Sequence, residues 1–299
     1  MKKDYIHEMT YSEDWKKNVG ELGFNVRNDY LFRTLMQRDE QTLRRIVASV
    51  MGIDPGTIRD VTVTNPIIPG QTIDDKEVAL DVRVLVEHIG LQGNKEIVNI
   101  EEIDLEMQGF IREGWNERTL IYLCRTFDEI NHGVPYENAK PVWQVSFCNF
   151  TLFKGLPAFV SNFMLVNIKD VRQVYTDKFK ITNINLNAID FAEEKDKKSG
   201  LVYWAKLFKA ESWEDFKMIV TENPEMENTI SSIWQLTQNR NIREQMLRRE
   251  ENELNYRHMV EKTEKANERA DKAERKLAEN DAYIEELKKQ IEELKKNQN

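Results

Sequence analysis

Apolar positions along residues 28–51, "NDYLFRTLMQRDEQTLRRIVASVM", recur at the spacing of one helix face: Leu31, Leu35, Leu43, Ile46, Val47 and Val50. The pattern predicts one helix, with Asn28 as its N-cap and Gly52 and Pro55 as its stop. The period then changes to two. Residues 58–68, "IRDVTVTNPII", alternate as far as Pro66, and 77–87, "EVALDVRVLVE", make a stronger strand. A loop holding Gly90 and Gly93 is expected next, then a third strand over roughly Ile97–Gln108. Together these predict a meander whose second and third strands form a hairpin.

Farther on, residues 110–131 read as an amphipathic helix despite Gly114, and 141–153, "PVWQVSFCNFTLF", as a strand suited to a sheet covered on both faces. Phe179, Ile181, Ile184 and Leu186 mark another strand region within 177–191. From Ser199 the texture is helical, with "LVYWAKLF" and "WEDFKMIV" on consecutive helices, and Pro224 opens a helix running toward the C-terminus. The order predicts an α/β or α+β core with a helical annex.

The last stretch carries heptads. Tyr256, Thr263, Ala270, Leu277, Ile284 and Ile291 fall at a, and Met259, Ala266, Ala273, Asn280, Leu287 and Leu294 at d. Ile at a with Leu at d in the last two heptads suits a parallel two-stranded coil, so a homodimer through the C-terminal helix is expected.

Composition adds three constraints. Apolar residues make up 40% of the 299, with 13 Phe, 9 Tyr and 6 Trp, enough for a sizeable core. Cys124 and Cys148 both lie in apolar runs and read as buried, reduced thiols. With no apolar leader at the N-terminus and no run of membrane-spanning length, the expectation is a cytoplasmic protein that does not engage a membrane. Residues 236–299 hold 15 basic and 15 acidic groups, so the net charge of −9 lies in the body. That argues against binding nucleic acid by bulk charge, and leaves room for an acidic cleft that holds divalent cations.

Candidate chemistry sits in "IEEIDLEMQGF", residues 100–110. Side chains two apart on a strand share a face, so Glu106 and Gln108 point together, with Glu102 and Asp104 on the same side. Leu105 and Met107 point the other way, into the core. Asp81 sits within the preceding strand among apolar neighbours, where a carboxylate is costly unless it is paired or bound to a cation. The hairpin brings the two strands together, and a hard cation such as Mg²⁺ between two such acids relieves their repulsion. The four histidines, His7, His88, His132 and His258, show no zinc spacing. Arg44-Arg45 and Arg248-Arg249 could meet phosphates, although a solvated helix face is the commoner role of such pairs.

An acid on one strand, Glu-x-Gln on its hairpin partner and a helix on either side of the meander resemble the PD-(D/E)XK nuclease core. More closely, the chain resembles the Rpn-type, recombination-promoting nuclease group of transposases. The similarity is carried by "NDYLFRTL" (28–35), "LDVRV" (80–84), "LEMQ" (105–108), "ERTLIYLCRTF" (117–127), "PVWQVSFCNFTLF" (141–153), "YTDKFKITNINL" (175–186) and "LVYWAKLFK" (201–209). It spans about residues 25–250.

With the resemblance, a nuclease-like domain is expected over 25–198 after an N-terminal segment over 1–24; the helical texture and the heptads give a helical annex over 199–240 and a long helix or coiled coil over 241–297. The resemblance implies Asp81 and Glu106 as metal carboxylates, and Gln108 where the wider superfamily has Lys. Tyr122 matches a recurrent tyrosine that faces the site, and Asp29 an acid near the metal. Asp104 stays an alternative to Glu106, whose choice rests on its place beside Gln108. The implied activity is Mg²⁺-dependent cleavage of DNA, with Mn²⁺ as a substitute, in recombination, mobile-element or phage-defence roles. The alternative is a catalytically inactive module of the same fold, assembled through its coil.

Overall fold

The computed structural model describes residues 9–64, 82–93, 95–111, 113–128, 135–153, 155 and 157–296. Among the described residues six strands form one sheet: β1 (Ile58–Val63), β2 (Val82–Gln92), β3 (Lys95–Gln108), β4 (Val142–Cys148), β5 (Val160–Asn167) and β6 (Asp170–Asn185). They lie in the order β1-β2-β3-β4-β6-β5. The first three run antiparallel, as the meander predicts. β4 and β6 then add in parallel, and β5 closes the far edge antiparallel to β6. Eight α-helices accompany the sheet among the described residues: α1 (Asp29–Arg38), α2 (Glu40–Met51), α3 (Trp115–Phe127), α4 (Glu194–Lys198), α5 (Leu201–Lys209), α6 (Trp213–Glu222), α7 (Met226–Gln238) and α8 (Arg240–Lys296). A parallel neighbour needs a crossover, and the segment containing α3 supplies it between β3 and β4.

One face of the sheet is apolar. Val82, Val84 and Val86 of β2, Ile103, Leu105 and Met107 of β3, and Val145 and Phe147 of β4 are buried there. Phe32 of α1 and Phe208 of α5 meet Phe147, with ring centroids 6.1 and 5.1 Å away. The annex helices α5–α7 belong to this same core through Trp204, Phe216 and Ile233, as does the N-terminal stretch through Trp15. Each large apolar side chain so buried contributes about 1.5–3 kcal/mol.

Several elements differ from the sequence reading. The helix expected over 28–51 is two helices. Asp39 adopts φ −118° and ψ 91°, breaks the run, and caps α2 by accepting from the Thr42 amide at 2.9 Å. Gly90 lies inside β2, not in a loop, and its missing side chain makes room for the amide of Asn99 on β3. α3 starts only at Trp115, after Gly114 at φ +68°, and β4 ends at Cys148. The strand expected over 177–191 begins at Asp170, and β5 is an additional strand. The helix expected from Pro224 onward breaks at Asn239, whose Oδ1 accepts from the amides of Asn241 and Ile242 and so starts α8. Cys124 is exposed on α3, while Cys148 is buried.

The chain divides into two units, residues 1–246 and 247–299. Within the second, α8 continues as one uninterrupted helix to Lys296. Among the described residues no helix is long and apolar enough to cross a membrane.

Candidate active site

The other face of β3 is polar. Glu102, Asp104, Glu106 and Gln108 alternate with the core residues of the same strand, as the period of two requires, and all four are buried. Their register partners continue the polar row across the sheet. Asp104 pairs with Gln144 of β4, and Glu106 pairs with Ser146 of β4, itself paired with Asn183 of β6. Neighbouring strands are about 4.8 Å apart, so these side chains form one contiguous surface.

α3 lies over this face. It is amphipathic and buries Trp115, Thr119, Leu123 and Thr126. At one end Trp115 packs edge-on against Phe150, with centroids 5.7 Å apart; at the other, Phe127 meets Phe179 of β6 at 5.8 Å. Between these anchors Arg118 reaches the sheet and forms an ion pair with Glu106. Its guanidinium lies 5.5 Å from the Trp115 ring centre and 5.4 Å from that of Tyr122. Gln108 is fixed by its own amide, which donates to the Phe110 carbonyl at 2.9 Å. Arg83 of β2 approaches Glu102 at 3.8 Å.

The electrostatics mark the same place. Burial, and after it the negative charge of Glu106, push the Cys148 thiol far above its ordinary range. Both Oε1 and Nε2 of Gln144, Oγ of Ser146 and Oδ1 of Asn183 are buried with no hydrogen-bond partner. An unmet buried polar group costs about 1–3 kcal/mol, so water or a bound ligand has reason to enter here.

Of the residues singled out by sequence, Glu106 and Gln108 share this buried face. Tyr122 stands next to it through Arg118. Asp29 opens α1, an element seated on the apolar face, in the turn capped by Asn28. Asp81 lies outside the described residues. Arg118, Gln144, Ser146 and Asn183 were not anticipated. The alternation Gln144, Ser146, Cys148 inside an apolar run was the available signal for the second strand of the row.

Carboxylate, amide and hydroxyl oxygens are hard donors, the type that Mg²⁺ and Mn²⁺ take. The donor chemistry of the row therefore fits such an ion, with Glu102, Asp104 and Glu106 as its charged members. Among the described residues there is no group of three or more acidic, histidine or cysteine side chains that could hold a metal by themselves. Neither a curated protein nor a solved structure matches the chain. A family model for PD-(D/E)XK nuclease family transposases matches residues 26–263, most of the chain and all of the sheet. The chain belongs to the PD-(D/E)XK nuclease family of transposases.

Proposed function

We propose that the chain is a divalent-metal-dependent phosphodiesterase that cuts DNA, with Asp81 and Glu106 as the metal carboxylates. The observation that carries this reading is Glu106. It is a carboxylate buried on the polar face of a central strand in a member of a nuclease family, beside buried oxygens that lack partners. Asp81 is bonded to Val82, the residue of β2 paired with Leu105, one position before Glu106.

Bound there, Mg²⁺ or Mn²⁺ would neutralise phosphate charge, stabilise the leaving oxygen and acidify a water. The chain's own groups do the rest. The β3–β4 pairing holds Glu106 in place, with Ser146 as its neighbour. Gln108 is neutral and cannot serve as a general base, but its amide, tethered to Phe110, can orient water or donate to a phosphate oxygen. Tyr122 supports the site through the cation it flanks. The acidic body implies that DNA is held by local contacts, not by a broad basic surface. Roles in recombination, mobile elements or phage defence are consistent with such an activity.

α8 favours assembly into a homodimer. Its heptad residues Met259, Leu277, Ile284 and Ile291 are exposed in the single chain, and a second copy would cover them. Two chains would bring two sites to one duplex. A non-cleaving module assembled through the same coil is the second reading, and α8 is the observation that favours it.

The deciding test is supercoiled plasmid incubated with the purified chain and Mg²⁺, Mn²⁺ or EDTA. Nicking that EDTA abolishes, and that is lost in Asp81→Ala and Glu106→Ala, is expected. Cleavage retained in Glu106→Ala would sink the assignment, and dimers without cleavage would favour the module.

A further inference from the structure

Gln108 brings no charge to a phosphate, so any side-chain cation that assists the metal there comes from another residue of this face. Arg118 of α3 reaches Glu106 there. Trp115, Arg118 and Tyr122 are spaced three and four residues apart, so the guanidinium is flanked by both rings on a single face of the helix. The Arg118 side chain is 24% exposed and that of Glu106 only 6%, so the arginine is the more accessible member of the pair. A guanidinium keeps its proton in proteins and offers a planar fork of donors that suits carboxylate and phosphate alike.

A buried carboxylate without a counter-charge is costly, and Arg118 supplies such a charge to Glu106. A lone pair of Glu106 engaged by the arginine is not available to a metal ion at the same time.

We propose that Arg118 is a displaceable clamp and then a phosphate-binding residue. In the metal-free protein it holds Glu106. When a divalent cation takes the carboxylate, the guanidinium is released and turns to a non-bridging oxygen of the scissile phosphate, steadied by Trp115 and Tyr122. Stacking between rings does not depend on which anion the fork engages, so the arginine keeps its place as its partner changes. The inference rests on the reading of Glu106 as a metal ligand.

Calorimetric titration of the full chain with Mn²⁺ in the absence of DNA, combined with cleavage kinetics, tests it. Removing the clamp should tighten Mn²⁺ while slowing cleavage, a pair of opposite changes that a merely structural arginine does not produce. Arg118→Ala is expected to bind Mn²⁺ about tenfold tighter, within the usual range of coupling between sites. Its kcat is expected to fall about 100-fold, as for loss of one charge-stabilising donor. Arg118→Lys, which keeps the charge without the fork, should recover part of kcat and bind Mn²⁺ much as the wild type does. Arg118→Met is read in the same way as Arg118→Ala should the latter fail to fold by circular dichroism. Mn²⁺ affinity unchanged or weakened in folded Arg118→Ala or Arg118→Met, with Glu106→Gln weakened, overturns the clamp alone. Wild-type Mn²⁺ affinity in Glu106→Gln overturns the metal reading and the clamp with it.

Discussion

Asp39 accepts a hydrogen bond from Ser232 at 2.6 Å, tying the break between α1 and α2 to the middle of α7. The same carboxylate takes the Thr42 amide at 2.9 Å and the Thr42 hydroxyl at 2.8 Å. One side chain thus ends a helix, caps the next and joins the annex to the core. Asp39→Ala removes a cap and leaves buried donors unmet, so a loss of about 2–4 kcal/mol is expected. Urea unfolding followed by circular dichroism measures it. A loss below about 0.5 kcal/mol would show that the link between α2 and α7 carries little.

Cys148 predicts a pH dependence. Its folded-state thiol is held protonated by burial and by Glu106, whereas an unfolded thiol titrates near 9.0. Above that value the unfolded chain has lost a proton that the folded chain keeps. The unfolded state binds fewer protons, so stability falls as pH rises. This contribution approaches about 1.4 kcal/mol per pH unit above pH 9 and is absent below about pH 8. Stability curves for the wild type and Cys148→Ala should therefore differ in slope only on the alkaline side. At neutral pH a thiol reagent should label the exposed Cys124 in the folded chain and both cysteines after unfolding.

The polar row predicts a conflict between stability and activity. Gln144 and Ser146 are buried with unmet polar atoms, so replacements of similar shape should not weaken the fold. Gln144→Met and Ser146→Ala are each expected to match or exceed the wild type, by up to about 1 kcal/mol. Plasmid cleavage by the same two proteins should fall. A marked loss of stability in both would mean that the row is satisfied internally and not by water or ligand.

Gly90 and Asn99 form a testable pair across β2 and β3. A Cβ at position 90 would collide with the Asn99 amide, the far end of a flexible side chain that can turn aside. Gly90→Ala should cost about 0.5–1 kcal/mol, and adding Asn99→Ala should recover it, giving a coupling energy of similar size. Equal losses in the single and double variants would place the strain elsewhere.

How much of this was legible depends on whether the signal is local. The alternation of Leu105 and Met107 against Glu106 and Gln108 is a backbone period of two, and it survives into the structure unchanged. Asp39 sits in "QRDEQ", a run indistinguishable from a polar helix face until Ser232, nearly two hundred residues later, accounts for its side chain. β5 escaped because "VSNFMLVN" lies at the sheet edge with both faces largely exposed, so nothing enforces alternation. Cys124 looked buried because its neighbours are apolar, yet Leu120 and Ile121 beside it face outward too. The pairing of Arg118 with Glu106 joins a helix to a strand, and no spacing rule along the chain reaches that far.

The parallel centre of the sheet also orders events in time. Ser146 and Asn183 follow Glu106 by 40 and 77 residues, and both strands that bear them must dock in parallel before the row exists. Such non-local pairing forms late, because loop closure must precede the contacts that reward it. A chain emerging from the ribosome therefore carries Glu106 on a local hairpin long before the surrounding pocket is assembled. For a protein proposed to cut DNA, the site is therefore complete only once the parallel strands have docked, well after Glu106 has been made.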